Sequence, residues 1–167
     1  MTKPQMIISI ATQTLRLYDG EQLVKDYTIA TARNGAGEVQ GSECTPRGRH
    51  IVRAKIGEGA VVNTVFQGRR PTGEIFSEAL RAQYPQRDWI LTRILWLSGK
   101  EPGRNRLGTV DTMRRYIYIH GCPDSDLMGQ PSSHGCIKMK NTDVIDLFSR
   151  IEVGTPVDII EAGHEPQ

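Results

Sequence analysis

The chain has 167 residues and has little of several features that would place it in a special class. Its three cysteines are odd in number and widely spaced, which does not predict a disulfide framework and suits a reducing compartment. The formal charge of +2 is too small to predict binding to nucleic acid. No apolar run approaches the length of a membrane-spanning helix, so we expect no membrane partner. With an ordinary apolar content, these absences predict one globular domain over residues 1–167.

The start of the chain, residues 1–10, has one positive charge, a short apolar run and no small-residue cleavage site. This pattern is not typical of a secretory signal. Together with the cysteine content it predicts a cytoplasmic protein, or a periplasmic one if a leader was removed.

Short β-favouring runs dominate the first third of the chain. Strands are predicted over Met6 to Ile10, Thr14 to Tyr18, Leu23 to Ala30 and His50 to Ala54, with polar turns between them. Closely spaced strands without intervening helices favour a sandwich or barrel over a parallel α/β sheet. We therefore predict a mainly β fold, a β-sandwich or barrel-like arrangement of mixed sheets with a few short helices.

The elements in the rest of the chain are predicted from the same kinds of pattern. Residues 73–84 predict a short helix, Trp89 to Leu97 a buried strand, Lys100 to Gly108 a loop and Val157 to Ile160 a last strand. One more helix is predicted by an apolar face at i, i+3, i+4 and i+7, formed by Val144, Leu147, Phe148 and Ile151. Asn141 or Thr142 is expected to cap its start.

Reactive residue types are concentrated before this helix. A predicted strand from Tyr116 to His120 is followed by a loop from Gly121 to Ser132, and then by Ser-His-Gly-Cys at residues 133–136. Because alternate strand residues share a face, Tyr118 and His120 should point one way and the two isoleucines between them should pack in the core.

These residues provide the parts that covalent acyl transfer needs. A free thiol is mostly protonated at neutral pH, so Cys136 needs a base, and His120 is the candidate. The Gly121 carbonyl is expected to accept from Nδ1 and hold the ring. Gly135 allows a sharp turn, so that backbone N–H groups from His134 to Cys136 can stabilise an oxyanion.

The stretch resembles the L,D-transpeptidase catalytic domain family, often called the YkuD family, whose hallmark is a histidine, a spacer and Ser/Thr-His-Gly-Cys. The N-terminal strands and Thr45-Pro46-Arg47-Gly48 look like the family's opening hairpins and Thr-Pro-x-Gly turn. The resemblance thus covers nearly the whole chain. Within the family, the chain looks most like leaderless cytoplasmic members that resemble L,D-carboxypeptidases.

The resemblance implies that Cys136 is the nucleophile, that His120 is the general base and that His134 lies near the oxyanion hole. The implied partners are peptidoglycan stem peptides or muropeptides. The thiolate would attack the carbonyl of the L-centre of diaminopimelate, release the terminal D-Ala and leave an acyl-enzyme. No cofactor is implied. Carbapenems acylate many members, so an adduct at Cys136 is expected.

Two fates of the thioester remain open. Water would give an L,D-carboxypeptidase of murein recycling, whereas an amine would give a transpeptidase that forms crosslinks or exchanges D-amino acids in the cell wall. Crosslinks form outside the cytoplasm, so the predicted location favours hydrolysis.

Five further residues are expected to contact the substrate: Ser133, Lys138, Tyr118, Arg93 and Arg115. The two arginines are chosen because the implied substrate carries several carboxylates. Lys138 stands where many family members have arginine, and lysine keeps the charge but loses the two-pronged grip on a carboxylate.

A metal site is the alternative from another class. His120-Gly121-Cys122 and His134-Gly135-Cys136 form a duplicated His-x-Cys, which could hold zinc in a non-catalytic binding module. The spacing is not that of common zinc sites, so we expect no metal. Cys122 would otherwise pair oxidatively with Cys136 or fill a small site.

Overall fold

The computed structural model describes residues 3–164, so the ends of the predicted domain, residues 1–2 and 165–167, lie outside the described residues. The strands are β1 Pro4–Ser9, β2 Thr14–Asp19, β3 Gln22–Ala30, β4 Gly48–Ile56, β5 Thr64–Gln67, β6 Arg70–Ile75, β7 Ile90–Gly99, β8 Tyr118–Gly121, β9 Ile137–Met139 and β10 Pro156–Ile160. The α-helices are α1 Glu78–Gln83 and α2 Asn141–Arg150, and a short 3-10 helix spans Gly108–Val110. Neither α-helix of this described part is long and apolar enough to span a bilayer.

The strands form one sheet that closes on itself. Their order is β4-β10-β1-β2-β3-β9-β8-β7-β5-β6, and β4 also pairs with β7. The pairs β1–β10 and β8–β9 are parallel, and the other pairs are antiparallel. The β5–β6 hairpin extends the sheet beyond the closure. The prediction of a mainly β, barrel-like fold with few helices is confirmed.

The main hydrophobic core fills the inside of the closed sheet. It takes alternate residues from the strands, among them Ile8, Leu15, Ile29, Leu95, Ile119 and Ile137, each 0% exposed. The predicted apolar face of α2 packs into the same core. Burial of one such side chain stabilises the fold by about 1.5–3 kcal/mol. The core therefore fixes the strands on which the reactive residues lie.

Several boundaries differ from the predictions. The strand predicted to begin at Tyr116 begins at Tyr118, because Tyr116 has a φ of 56°, which no strand allows. The helix predicted over residues 73–84 is wrong in its first part, since residues 70–75 form β6. Helix α1 starts after Ser77, whose Oγ accepts from the Leu80 N–H at 3.1 Å.

The predicted cap of α2 is also wrong. Lys140 occupies the cap position without a side-chain hydrogen bond, and Asn141 is already helical. The Asn141 side chain is used elsewhere: Oδ1 accepts from Thr92 Oγ1 at 2.6 Å, and Nδ2 donates to Asn63 Oδ1 at 3.0 Å. Tertiary contacts therefore outweigh the local preference of asparagine for a cap.

Candidate active site

The parallel pair β8–β9 positions the thiol and the imidazole. Ile119 lies opposite Ile137 and His120 opposite Lys138, and both isoleucines face the main core. Side chains alternate along a strand, so His120 and Lys138 point to the other face. Cys136 comes one residue before β9, on the face of Lys138 and therefore of His120. The sheet thus brings the predicted nucleophile and base to one side.

The His120 ring is buried, with 1% of the residue exposed, and its orientation is fixed by the backbone. Nδ1 lies 2.6 Å from the Gly121 carbonyl oxygen, which can only accept, so Nδ1 carries the proton. Nε2 is then the free acceptor of the neutral ring. Burial lowers the pKa of His120, while the charge of Asp88 acts in the opposite direction. A neutral ring with a free Nε2 is the form that a general base needs.

The Cys136 thiol lies against the backbone of the segment that leads into β8. Sγ accepts from the Tyr118 N–H at 3.3 Å and lies 3.4 Å from the Tyr116 carbonyl, to which it donates. No hydrogen bond joins it to the His120 ring. Burial raises the pKa of Cys136 to about 12, so the resting form is the neutral thiol.

The turn before Cys136 is held by two hydroxyl groups. Ser133 Oγ accepts from the Gly135 N–H at 3.2 Å and donates to the Cys136 carbonyl at 2.5 Å. Thr45 Oγ1 donates to the Gly135 carbonyl at 2.9 Å and accepts from the Ala32 N–H at 2.9 Å. Gly135 has a φ of 135°, which favours glycine. The predicted turn is therefore built, but its Gly135 amide is already bonded.

Cys136 opens onto a groove of about 510 Å³, here called the Cys136 groove. It is lined by Gly68, Arg69, Asp88, Ile90, Arg115, Tyr116, Ile117, Tyr118, His134 and Cys136. The volume lies in the range that accommodates one small organic ligand. The groove is therefore the place where a substrate would meet the thiol.

Two of the predicted substrate-binding residues line this groove. Tyr118 is 4% exposed, and its hydroxyl accepts from Arg69 Nη1 at 3.0 Å. The Arg115 guanidinium donates to the carbonyls of Cys44 at 2.6 Å and Gly37 at 3.2 Å. Arg115 thus fastens the segment beside the groove, and its positive charge lies near Cys136.

The other three predicted substrate-binding residues do not line the groove. Arg93 is 8% exposed and donates to the carbonyls of Ala60 and Thr92, away from the groove. Lys138 is paired with Asp126 at 3.0 Å. The Ser133 hydroxyl is used within its own turn. Their charge and polarity are satisfied inside the protein.

The sequence reasoning missed two charged residues of the groove, Arg69 and Asp88. Arg69 lies at the tip of the β5–β6 hairpin, where Gly68 has a φ of 56° and Arg69 a φ of 65°. Positive φ values at both central residues are those of a type I′ turn. The guanidinium stacks on Trp96 at 4.7 Å and on Tyr116 at 4.9 Å. In the sequence, the Gly68-Arg69 pair between two β-favouring runs was the signal that could have predicted this turn.

A bulge in β7 lies opposite the histidine. Leu91 pairs with Gly121 and Ile94 with His120, so two residues of β7 are left over. One of them, Thr92, has a φ of 75°, which is rare for a β-branched residue. A Cβ on Gly121 would lie 2.4 Å from Asn141 Oδ1, so this hydrogen-bonded network requires glycine where the histidine ring is anchored.

The two His-x-Cys pairs do not converge on a metal site. The Cys122 thiol is 1% exposed and donates to the Met139 carbonyl at 3.3 Å. His134 instead lines the groove. Over residues 3–164, no group of three or more histidine, cysteine, aspartate or glutamate side chains could hold a metal ion. Cys122 thus fills a small buried site.

Comparison with known proteins identifies a family whose model matches this chain. The family model of the YkuD L,D-transpeptidase catalytic domain matches residues 3–159. A curated relative, a putative L,D-transpeptidase YkuD of Bacillus licheniformis, is 26% identical over 155 residues, which cover 93% of this chain and 64% of the relative.

Solved structures share the fold. An L,D-transpeptidase from Mycobacterium smegmatis is 16% identical with a TM-score of 0.56, over 95% of this chain and 58% of that one. L,D-transpeptidase 3 from Mycobacterium tuberculosis, in complex with a faropenem-derived adduct, is 16% identical with a TM-score of 0.59, over 96% of this chain and 61% of that one. The chain therefore spans less than two thirds of the length of these proteins.

Proposed function

The chain belongs to the YkuD family of L,D-transpeptidase catalytic domains, and from this premise we propose that it catalyses acyl transfer at the L–D peptide bond of peptidoglycan stem tetrapeptides. The observation that carries the proposal is the β8–β9 pair. It holds the His120 ring and the Cys136 thiol on one sheet face, with the thiol open to the groove. Cys136 acts as nucleophile and His120 as general base.

The first half of the reaction forms a thioester. As Sγ bonds to the carbonyl carbon of the L-centre of diaminopimelate, Nε2 of His120 takes the thiol proton. The carbonyl oxygen becomes an oxyanion that accepts from the amides of His134 and Cys136, since the Gly135 amide is bonded to Ser133. Collapse breaks the C–N bond, and the imidazolium gives its proton to the leaving amine of D-Ala.

The protonation states support this order of events. Burial raises the pKa of the Cys136 thiol and lowers the pKa of the His120 ring, so both groups rest in their neutral forms. Sγ and the His120 ring also share no hydrogen bond in the resting site, so we infer that no thiolate–imidazolium ion pair is preformed. The proton moves while the substrate carbonyl is attacked, which requires a rotation of the thiol away from the Tyr116 carbonyl.

For the second half we propose hydrolysis, so that the product is a tripeptide. The groove of about 510 Å³ lies in the size range of a site for one small ligand, and water as the acceptor needs no binding site of its own. Arg69 offers its cationic group to a carboxylate of the bound peptide. Transpeptidation remains the alternative because it shares the thioester and differs only in the acceptor.

A product assay tests both halves. The protein is incubated with stem tetrapeptide, and we expect free D-Ala and tripeptide in equal amounts. A crosslinked dimer instead of tripeptide would assign transpeptidation. No D-Ala release from any stem tetrapeptide, free or disaccharide-linked, would contradict the proposal. Cys122→Ala serves as the matched thiol control, and Cys136→Ala should be inactive.

A β-lactam provides an independent test of the nucleophile. The tuberculosis relative is described with a faropenem-derived adduct, and we propose that faropenem or a carbapenem likewise acylates Cys136 here. Intact mass spectrometry should show one stable adduct that Cys136→Ala loses and Cys44→Ala keeps. An adduct retained without Cys136 would mean that another nucleophile reacts.

A further inference from the structure

The charged side chains of the Cys136 groove differ in whether they have partners within the protein. Arg115 donates to two backbone carbonyls, and Arg69 donates to the Tyr118 hydroxyl and stacks on two rings. Asp88 is exposed and lines the same groove. Within residues 3–164 its carboxylate has no hydrogen bond and no ion pair. It is thus an unpaired negative charge that faces the ligand space.

The position of Asp88 is set by its neighbours in sequence. Arg87 forms two hydrogen bonds to Glu74, at 2.9 and 3.1 Å, and lies over the Trp89 ring at 4.4 Å. Trp89 is 5% exposed and packs edge-on against Phe76 at 5.2 Å. Both neighbours are therefore anchored, and the next residue, Ile90, begins β7. The backbone of Asp88 is therefore fixed beside the groove that this residue lines.

A carboxylate at this place opposes the chemistry of the thiol. Burial first, and then the charge of Asp88, raise the pKa of Cys136. An anion beside a nucleophilic thiol disfavours the developing thiolate. The effect disappears when a cation of the bound ligand pairs with the carboxylate. An exposed carboxylate without a partner on the groove wall is complementary to a cationic group of a ligand.

We propose that Asp88 is a specificity residue that binds a primary ammonium group of the substrate and thereby links binding of a cationic peptide to the reactivity of Cys136. The inference rests on the proposed function, because the free amine of diaminopimelate is the ammonium nearest the attacked carbonyl. It adds a ligand contact in the Cys136 groove: the ammonium donates to Asp88 while the thiol meets the carbonyl.

A binding experiment tests the contact between Asp88 and the ammonium group in the absence of turnover. In the Cys136→Ala protein, calorimetry compares stem tripeptide with the same tripeptide acetylated on its free side-chain amine. We expect the free amine to bind about fivefold to tenfold more tightly, as for a partly exposed charged hydrogen bond. Adding Asp88→Asn should remove the difference, whereas Glu21→Gln, an exposed carboxylate outside the groove, should leave it. Equal affinities for the two peptides in the Cys136→Ala protein would overturn the proposal.

Steady-state kinetics distinguishes binding of the ammonium by Asp88 from an effect of the Asp88 charge on His120. With active protein, Asp88→Asn should raise KM for the free-amine tetrapeptide and leave the acetylated one unchanged. Iodoacetamide should alkylate Cys136 faster in ligand-free Asp88→Asn than in the unchanged protein. If kcat instead falls equally for both peptides, Asp88 stabilises the His120 imidazolium and the proposal is wrong. If neither peptide is cleaved, the proposed function fails, and calorimetry still decides the ammonium contact.

Discussion

Two buried histidines in this molecule have nearly the same surroundings and different consequences. His50 is 0% exposed and His120 is 1% exposed. In each ring Nδ1 lies close to a glycine carbonyl, that of Gly48 at 2.9 Å and that of Gly121 at 2.6 Å. In His50 the second nitrogen, Nε2, is bonded to Thr112 Oγ1 at 2.9 Å. In His120 it has no such bond.

The second nitrogen therefore separates a structural histidine from a candidate base. Burial lowers the pKa of both rings, to about 4 for His50, so both are neutral at pH 7. The neutral ring of His50 has its donor and its acceptor satisfied and can only stabilise the fold. His120 keeps an unused acceptor on the sheet face of a thiol. Burial and a lowered pKa alone do not mark a catalytic histidine.

The largest effect is expected from replacing the two rings by glutamine. His120→Gln removes the proton acceptor and keeps a similar volume, so turnover of stem tetrapeptide should fall about 10²- to 10⁴-fold while the fold is retained. His50→Gln should leave kcat within about twofold and lower the free energy of unfolding by about 1–3 kcal/mol. Rate assays and denaturant titrations check both. Near-normal turnover in His120→Gln would mean that the base is misassigned.

The pH dependence of the free energy of unfolding should reveal the contribution of the buried, neutral ring of His50. The unfolded chain protonates this ring below a pKa of about 6.5, whereas the folded protein keeps it neutral down to a pKa of about 4. Stability is therefore lost as the pH falls through this window, by up to about 3 kcal/mol. Unfolding titrations at pH 7 and pH 4.5 should show a smaller loss in His50→Gln than in the unchanged protein. The same loss in both would contradict the assignment.

Gly121, whose carbonyl anchors the ring of His120, should tolerate no side chain. A Cβ on Gly121 would lie 2.4 Å from Asn141 Oδ1 and 2.6 Å from the Leu91 carbonyl oxygen, which belongs to the backbone. Gly121→Ala should therefore displace the carbonyl that holds His120, lower the free energy of unfolding by about 1–3 kcal/mol and reduce kcat. Gly163→Ala is the control, because a Cβ there would meet only Thr12 Cγ2 at 3.4 Å, an ordinary contact distance. Unchanged kcat in Gly121→Ala would remove the anchoring role.

The smallest effect on turnover is expected at Thr112, the hydrogen-bond partner of His50. Thr112→Val keeps the shape but leaves Nε2 of His50 without its donor, which should cost about 1–3 kcal/mol of stability. The kcat for stem tetrapeptide should not change, because Thr112 lies in the other histidine's pocket. Thermal unfolding and a rate assay measure the two values. A fall in kcat with unchanged stability would break the distinction between the two histidines.

Much of the fold was predictable because period-2 patterns are local. The first strands and the apolar face of α2 follow the predicted residues within a few positions. The hairpin β5–β6 and the short strand β9 were not predicted, since Thr64–Gln67 and Ile137–Met139 are too short to show a period. The helical prediction over residues 73–84 failed at its start because pairing between strands outweighs local propensity there.

The candidate site also contains some residues that the sequence predicted and others that it did not. The glycine-flanked thiol and the strand-end histidine were visible as residue types at a fixed spacing, and the carbonyl of Gly121 could be chosen as the anchor from adjacency alone. The charged residues of the groove could not be chosen in this way. Arg93 was expected at the substrate and is buried against Ala60, whereas Asp88 lines the groove and was not predicted there.

The amino-acid order alone thus specified the reactive pair, its family resemblance and the mainly β architecture, since each depends on neighbours in the chain or on a short repeat. Folding settled which charges face the thiol, which amide of the turn stays free and which of two buried histidines keeps an open nitrogen. These properties depend on residues far apart in the chain. The physical reason is that burial and hydrogen-bond satisfaction are set by all the elements packed around a group.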